Sequence, residues 1–138
     1  NIKNVEALLI RMVKENPWNK MSFEYLMAFY LINKDLGNFI NLIPIMEKMQ
    51  YSRVPASYQE AIMYIIGLNN EDPMTNSPQY VSQNTKLRMK AYGDIYTAYP
   101  DAQARLEKRF SGTYWYYLHF RDSEASQVEE SKNNTGST

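Results

Sequence analysis

The sequence predicts an all-α fold, with about seven antiparallel helices stacked as a short right-handed α–α superhelix. Three observations predict it. Apolar residues recur at three and four positions along most of the chain, which is the helical period. Glycine is scarce, 5 of 138 residues, which argues against a turn-rich all-β fold and against phosphate-cradling loops. The chain also carries 12 tyrosines and 8 methionines. Tyrosine buries a ring and keeps a polar tip near water, and methionine fills irregular gaps between helices.

The first helix is expected from about Asn4 to Glu15, on the spacing of Val5, Leu8, Leu9, Met12 and Val13. Asn16-Pro17 ends it, since proline disfavours helical geometry in the residue before it. Asn19 or Ser22 caps the second helix, Phe23 to Asn33, which is apolar nearly all round and so expected between neighbours. The tight connection 33–37 places the third helix antiparallel to it. That helix carries Leu36, Phe39, Ile40, Ile43, Met46 and Met49, with a kink expected at Pro44. Val54-Pro55 opens a fourth helix containing Tyr58, Ala61, Ile62, Ile65 and Ile66, with Gly67 and Asn69 as stop signals. Residues 69–78 read as the one long loop. A long helix is expected from about Gln79 to Tyr99, another after Tyr99-Pro100-Asp101, and a short aromatic one from Thr113 to Phe120.

A chain of 138 residues is one ordinary domain, expected at 1–121. Residues 122–138 hold one large apolar residue, Val128, and are expected to form a disordered acidic tail. Cysteine is absent, which excludes disulfides, thiolate metal sites and a cysteine nucleophile. The single histidine excludes sites needing two imidazoles, and no metal or other cofactor is expected. The longest apolar run, Tyr25–Ile32, is eight residues, far short of the roughly 18 of a membrane span. The chain opens at Asn1 with neither initiating Met nor signal peptide, and is read as a piece of a longer protein.

A weak internal repeat is visible. A shift of 33 aligns Tyr25 with Tyr58, Ala28 with Ala61, Phe29 with Ile62 and Ile32 with Ile65. The two alanines would let a paired helix approach closely, and Pro17, Pro55 and Pro100 each precede such a first helix. On these residues the chain resembles the tetratricopeptide-like repeats, although the Trp-x-x-Leu-Gly signature is absent and the proline spacing differs. The stretch from Asn16 to about Phe120 also resembles the soluble C-terminal region of Bacteroidetes proteins whose N-terminal part is predicted to span the membrane. Asn16-Pro17-Trp18-Asn19, Phe23-Glu24-Tyr25-Leu26-Met27-Ala28 and Tyr58-Gln59-Glu60-Ala61 carry that likeness. It implies a covalent continuation into a membrane-spanning region, tethered to the bacterial inner membrane, and no known activity.

The expected function is a non-enzymatic scaffold whose concave surface holds a protein or peptide segment. Glu24, Asn33, Ser57 and Glu60 are expected to face solvent there, with Tyr64 as an aromatic contact. The alternative is a saccharide-binding module using the Tyr/Trp-rich C-terminal end, which an exposed Trp115 would favour, while the Tyr114-Trp115-Tyr116-Tyr117 cluster reads rather as a cap on the open end of the helical stack. A third reading is an enzyme with convergent Glu24, Glu60 and His119. Against it, His119 at a helix C-terminus more often packs than reacts, and the two glutamates suit hydrogen bonds to neighbouring tyrosine hydroxyls. Residues 84–121 carry net charge +4 and 122–138 carry −3, but the whole chain is neutral, so no nucleic-acid partner is expected. The basic stripe is expected to meet the acidic tail, a partner's acidic segment or a headgroup. Nothing in the sequence sets an oligomeric state.

Overall fold

The computed structural model describes residues 2–17 and 19–122. Among them are nine helices and no strand, so the chain is all-α. Beyond Asp122 the expected tail lies outside the described residues, as does Trp18. The chain divides into two compact units, one on Asn1–Tyr51 and one on Ser52–Arg121.

The first unit holds α1 (Ile2–Glu15), α2 (Lys20–Ile32), α3 (Leu36–Asn41) and α4 (Ile43–Lys48). Asn19 caps α2 by accepting from the Ser22 N–H at 3.2 Å. The helix ends at Lys34, whose positive φ of 55° turns the chain. The Lys34 N–H then reaches Leu31 O and the Asp35 N–H reaches Tyr30 O, a closing pattern that satisfies carbonyls the helix leaves open. Asp35 starts α3 by accepting from the Asn38 N–H. The kink expected at Pro44 is a full break. α3 and α4 share Leu42 as a boundary, and Pro44 sits in the first turn of α4, where no N–H is needed.

α1 and α2 run antiparallel. The Tyr30 hydroxyl donates to Glu6 Oε1 at 3.2 Å, and Ile10 and Val13 border a hollow with Leu26 and Tyr30. Burial, helped by the Glu6 charge, pushes the Tyr30 hydroxyl up to about 12. Phe23, Leu26, Met27, Tyr30, Leu31, Phe39, Ile43 and Met46 form the core.

The second unit holds α5 (Ala56–Leu68), α6 (Pro73–Asn76), α7 (Gln83–Ala98), α8 (Ala102–Phe110) and α9 (Tyr114–Phe120). The long loop contains the single turn α6, which Asp72 caps by accepting from the Met74 N–H. The helix expected from Gln79 begins only at Gln83, because residues 78–81 form a turn closed by the Val81 N–H to Pro78 O, and Ser82 then caps the helix by accepting from Thr85 N. α5 closes as α2 does: Asn70 has φ 62°, its N–H reaches Gly67 O, and the Glu71 N–H reaches Ile66 O.

The repeat register of 33 does not survive. Ala61 is fully buried but Ala28 is exposed, and Tyr58 is buried but Tyr25 is exposed. An offset of 35, with Phe23 on Tyr58 and Leu26 on Ala61, matches buried positions instead. Sequence similarity between two nearly all-apolar helices does not say which face each turns inward, and here they turn different ones. Phe23→Ala should therefore cost roughly 3–5 kcal/mol, and Ala28→Ser under about 1 kcal/mol. Urea denaturation of both variants checks this, and equal losses would restore Ala28 to a packed contact.

Candidate functional site

Two neighbouring polar residues on α5 organise the second unit. Gln59 is buried. Its Nε2 donates to Val54 O at 2.9 Å, and its Oε1 accepts from Ser82 N at 2.8 Å and from the Thr85 hydroxyl at 2.9 Å. Glu60 is also buried. Its Oε1 accepts from the Tyr114 N–H at 2.8 Å, its backbone carbonyl accepts from the Trp115 indole at 2.9 Å, and Arg88 Nη1 stands 3.9 Å from Oε2. Gln59 thus ties the start of α7 to the start of α5, and Glu60 ties the start of α9 to the same place. These contacts align α5, α7 and α9 in one direction, against the expectation of antiparallel neighbours throughout. The segment between α5 and α7 is long enough to return the chain, so parallel packing is open to it.

Further along these helices the rings gather. His119 on α9 stacks on Tyr96 of α7, with centroids 4.2 Å apart, and meets Tyr64 of α5 edge-on at 5.7 Å. Its Nδ1 shares a 2.6 Å hydrogen bond with the Tyr92 hydroxyl. Burial, reinforced by the surrounding tyrosines, raises the Tyr92 pKa well above its ordinary value. The hydroxyl keeps its proton and either donates to Nδ1 or accepts from it.

A cleft of about 470 Å³ opens beside this cluster. Tyr64, Leu68, Met89, Tyr92, Tyr96 and His119 line it, together with Thr97 and the buried Trp115. None of the lining residues carries an acidic side chain, a lysine or an arginine. Of the lining residues, Leu68 and Tyr96 are exposed.

Two glycines also line the cleft, Gly67 and Gly93. Gly93 sits in the middle of α7 and has no positive φ. A Cβ there would meet nothing within 4 Å. Glycine costs about 1 kcal/mol in a helix interior relative to alanine, and neither backbone nor packing requires it at this position. The space it leaves belongs to the cleft.

The residues expected to form a binding surface fall in different places. Tyr64 lines the cleft as an aromatic contact. Glu60 was expected to face solvent, but it is buried and serves the first turn of α9. An exposed Trp115 would have favoured the saccharide alternative, but Trp115 is buried with its indole N–H held by Glu60 O, so it offers no face for stacking a sugar. Ser57 is half-buried and borders a separate hollow with Thr113 and Tyr117. Glu24 and Asn33 belong to the first unit. Glu24 accepts from the Tyr51 hydroxyl at 2.8 Å, the tyrosine bond expected of it. Asn33 closes α2, with Nδ2 donating to Phe29 O at 2.8 Å.

The sequence reading did not group Tyr92, Gly93, Tyr96 and His119 as one site; His119 was weighed only as a packing residue or as a partner of Glu24 and Glu60. The readable signal was a glycine inside a strong helical pattern, flanked by tyrosines four residues apart. The basic stripe is partly neutralised within the chain: Lys90 pairs with Asp94, Arg105 with Asp101, and Arg88 faces Glu60. Among the described residues no three His, Asp or Glu side chains gather as a metal site would need, and no helix is long and apolar enough to cross a membrane.

The described residues are all-helical, and the second unit holds a tyrosine-lined cleft. The chain belongs to a family of unknown function, DUF6057, whose model matches residues 1–121. No curated protein and no solved structure matches it.

Burial raises the Glu60 pKa, against the opposing pull of the Tyr114 N–H and Arg88. The folded chain therefore holds this proton more tightly than the unfolded chain. Stability relative to Glu60→Gln should fall as pH rises from the ordinary glutamate range through the raised value, and then level off. Glu60→Ala, which strands the Tyr114 N–H, should cost about 1.5–3 kcal/mol. Thermal melts across pH check both. Gly93→Ala should stabilise the fold by about 1 kcal/mol, visible as a higher Tm in the same experiment.

Proposed function

We propose that this chain is a non-enzymatic interaction module, and that the cleft of the second unit receives an uncharged apolar stretch of a protein or peptide. The observation that carries the reading is the space beside Gly93. A helix gives up stability there, and the gap is walled by rings rather than filled by them. Tyrosine walls suit a peptide, because each ring supplies contact area and each hydroxyl a hydrogen bond. A charged occupant would lie against a wall with no opposite charge to meet it.

The cleft's chemistry favours holding over reacting. It has no carboxylate, the Thr97 hydroxyl donates to Gly93 O, and His119 Nδ1 is engaged with Tyr92. Tetratricopeptide-like stacking of helices belongs to this proposal, as does a covalent continuation into a membrane-spanning region of a Bacteroidetes protein. Both rest on the sequence resemblances alone.

The test uses a displayed library of random peptides, selected on the whole chain. Selected peptides should be rich in proline or aliphatic residues and poor in charge. They should change the fluorescence of Trp115, read in a Trp18→Phe background. Gly93→Leu, which fills the cleft, should weaken binding at least tenfold while leaving helicity intact. Peptides that bind Gly93→Leu as well as wild type would sink the reading.

A further inference from the structure

His119 is the single histidine of the chain, and it lines the cleft of the second unit, half-buried. Histidine is the side chain whose ordinary titration falls between about pH 5 and 8. The groups on the page that face it are tyrosines. α5 brings Tyr64, edge-on at 5.7 Å. α7 brings Tyr96, stacked at 4.2 Å, and Tyr92, whose hydroxyl shares the 2.6 Å bond with Nδ1. α8 reaches the cluster through Phe110, edge-on to Tyr92 at 5.6 Å. None of the charged side chains of α5, α7 and α8 lines the cleft. Glu60 and Arg88 face each other, Lys90 pairs with Asp94, and Arg105 with Asp101. Along its own chain Arg121 and Asp122 follow, both exposed.

We infer that His119 is a proton switch that sets which peptide the cleft accepts: an uncharged one while the imidazole is neutral, a carboxylate-bearing one once it is protonated. The inference rests on the reading of the cleft as a peptide site, and adds its regulation. With a neutral ring the lining carries no charge, and an apolar segment covers it without desolvating an ion. Protonation puts one positive charge into the lining. An apolar segment laid over it strips water from a cation that no lining carboxylate compensates. A segment bearing Asp or Glu supplies the missing partner.

Tyr92 changes role in the same step. A protonated Nδ1 donates to the Tyr92 oxygen and takes no proton from it. The hydroxyl keeps its own hydrogen, which then needs a new acceptor, and a carboxylate provides one where a hydrocarbon does not. The Tyr96 ring face attracts a cation, so the stack at 4.2 Å keeps the charged imidazole in the lining. By linkage, an uncharged peptide lowers the pH at which His119 titrates, by one unit for each tenfold preference for the neutral form, and a carboxylate peptide raises it.

The experiment uses the whole chain, whose lone imidazole gives one set of ring resonances. NMR follows them from about pH 8 to about pH 5, in the free chain, with an uncharged peptide selected at the higher pH, and with the same peptide carrying one glutamate. The uncharged peptide should move the midpoint down by about one unit and the glutamate peptide should move it up. The ratio of the two Kd values should change at least tenfold between about pH 8 and about pH 5.5, where the peptide carboxylate is still ionised. In His119→Asn the ratio should stay constant. Glu60 also gains a proton in acid, but the variant retains it, so a ratio that still changes there overturns the switch. A midpoint that neither peptide moves overturns it too, and that measurement needs no variant to fold. Gly93→Leu separates the two claims. Binding that survives Gly93→Leu removes the peptide site and the switch with it. Gly93-sensitive binding with the same ratio at both pH values removes the switch alone.

Discussion

A carboxylate buried against the first turn of a helix is the constraint on which the second unit depends. Glu60 is buried, and its Oε1 takes the Tyr114 N–H at 2.8 Å. That N–H, as one of the first in α9, would otherwise lack an intrahelical acceptor. Each group satisfies the other, and neither tolerates displacement. With Gln59 doing the same for Ser82 N one residue earlier, a single turn of α5 sets the starting points of α7 and α9. Everything downstream follows from those starting points, including the distance at which His119 reaches Tyr96.

Polar anchoring at one end leaves the other end free to be aromatic. Tyr64, Tyr92, Tyr96 and His119 meet by ring contact, which holds helices together without demanding that the space between them be full. A cleft therefore persists where an aliphatic core would tend to collapse around it. Scarce glycine, read from composition as evidence for helices, acquires a second meaning here. Two of the few that exist stand at the cleft, and one occupies a helix interior that alanine would serve better.

The two units use the same local devices for different ends. α2 and α5 both close through a residue with positive φ followed by an acidic residue, and both are apolar on more than one face. α5 is covered by α6, α7 and α9. α2 keeps α1 and α3 on its core side and leaves Met21, Tyr25, Ala28 and Ile32 in solvent.

Helix positions, a cap at Asn19 or Ser22, and the interruption at Pro44 were legible in the residues, because each is decided by a few neighbours along the chain. The all-α class was legible for the same reason. Which face of α2 points inward was not, since every face of that helix is apolar and only the approach of α1 and α3 chooses among them. Nor was the burial of Glu60 and Trp115: a glutamate and a tryptophan read as surface chemistry until the backbone groups that satisfy them arrive from more than fifty residues away. Local sequence determined what each segment is. Contacts distant in sequence decided what each side chain is for, because burial and hydrogen-bond satisfaction belong to the assembled unit and have no counterpart in any one segment.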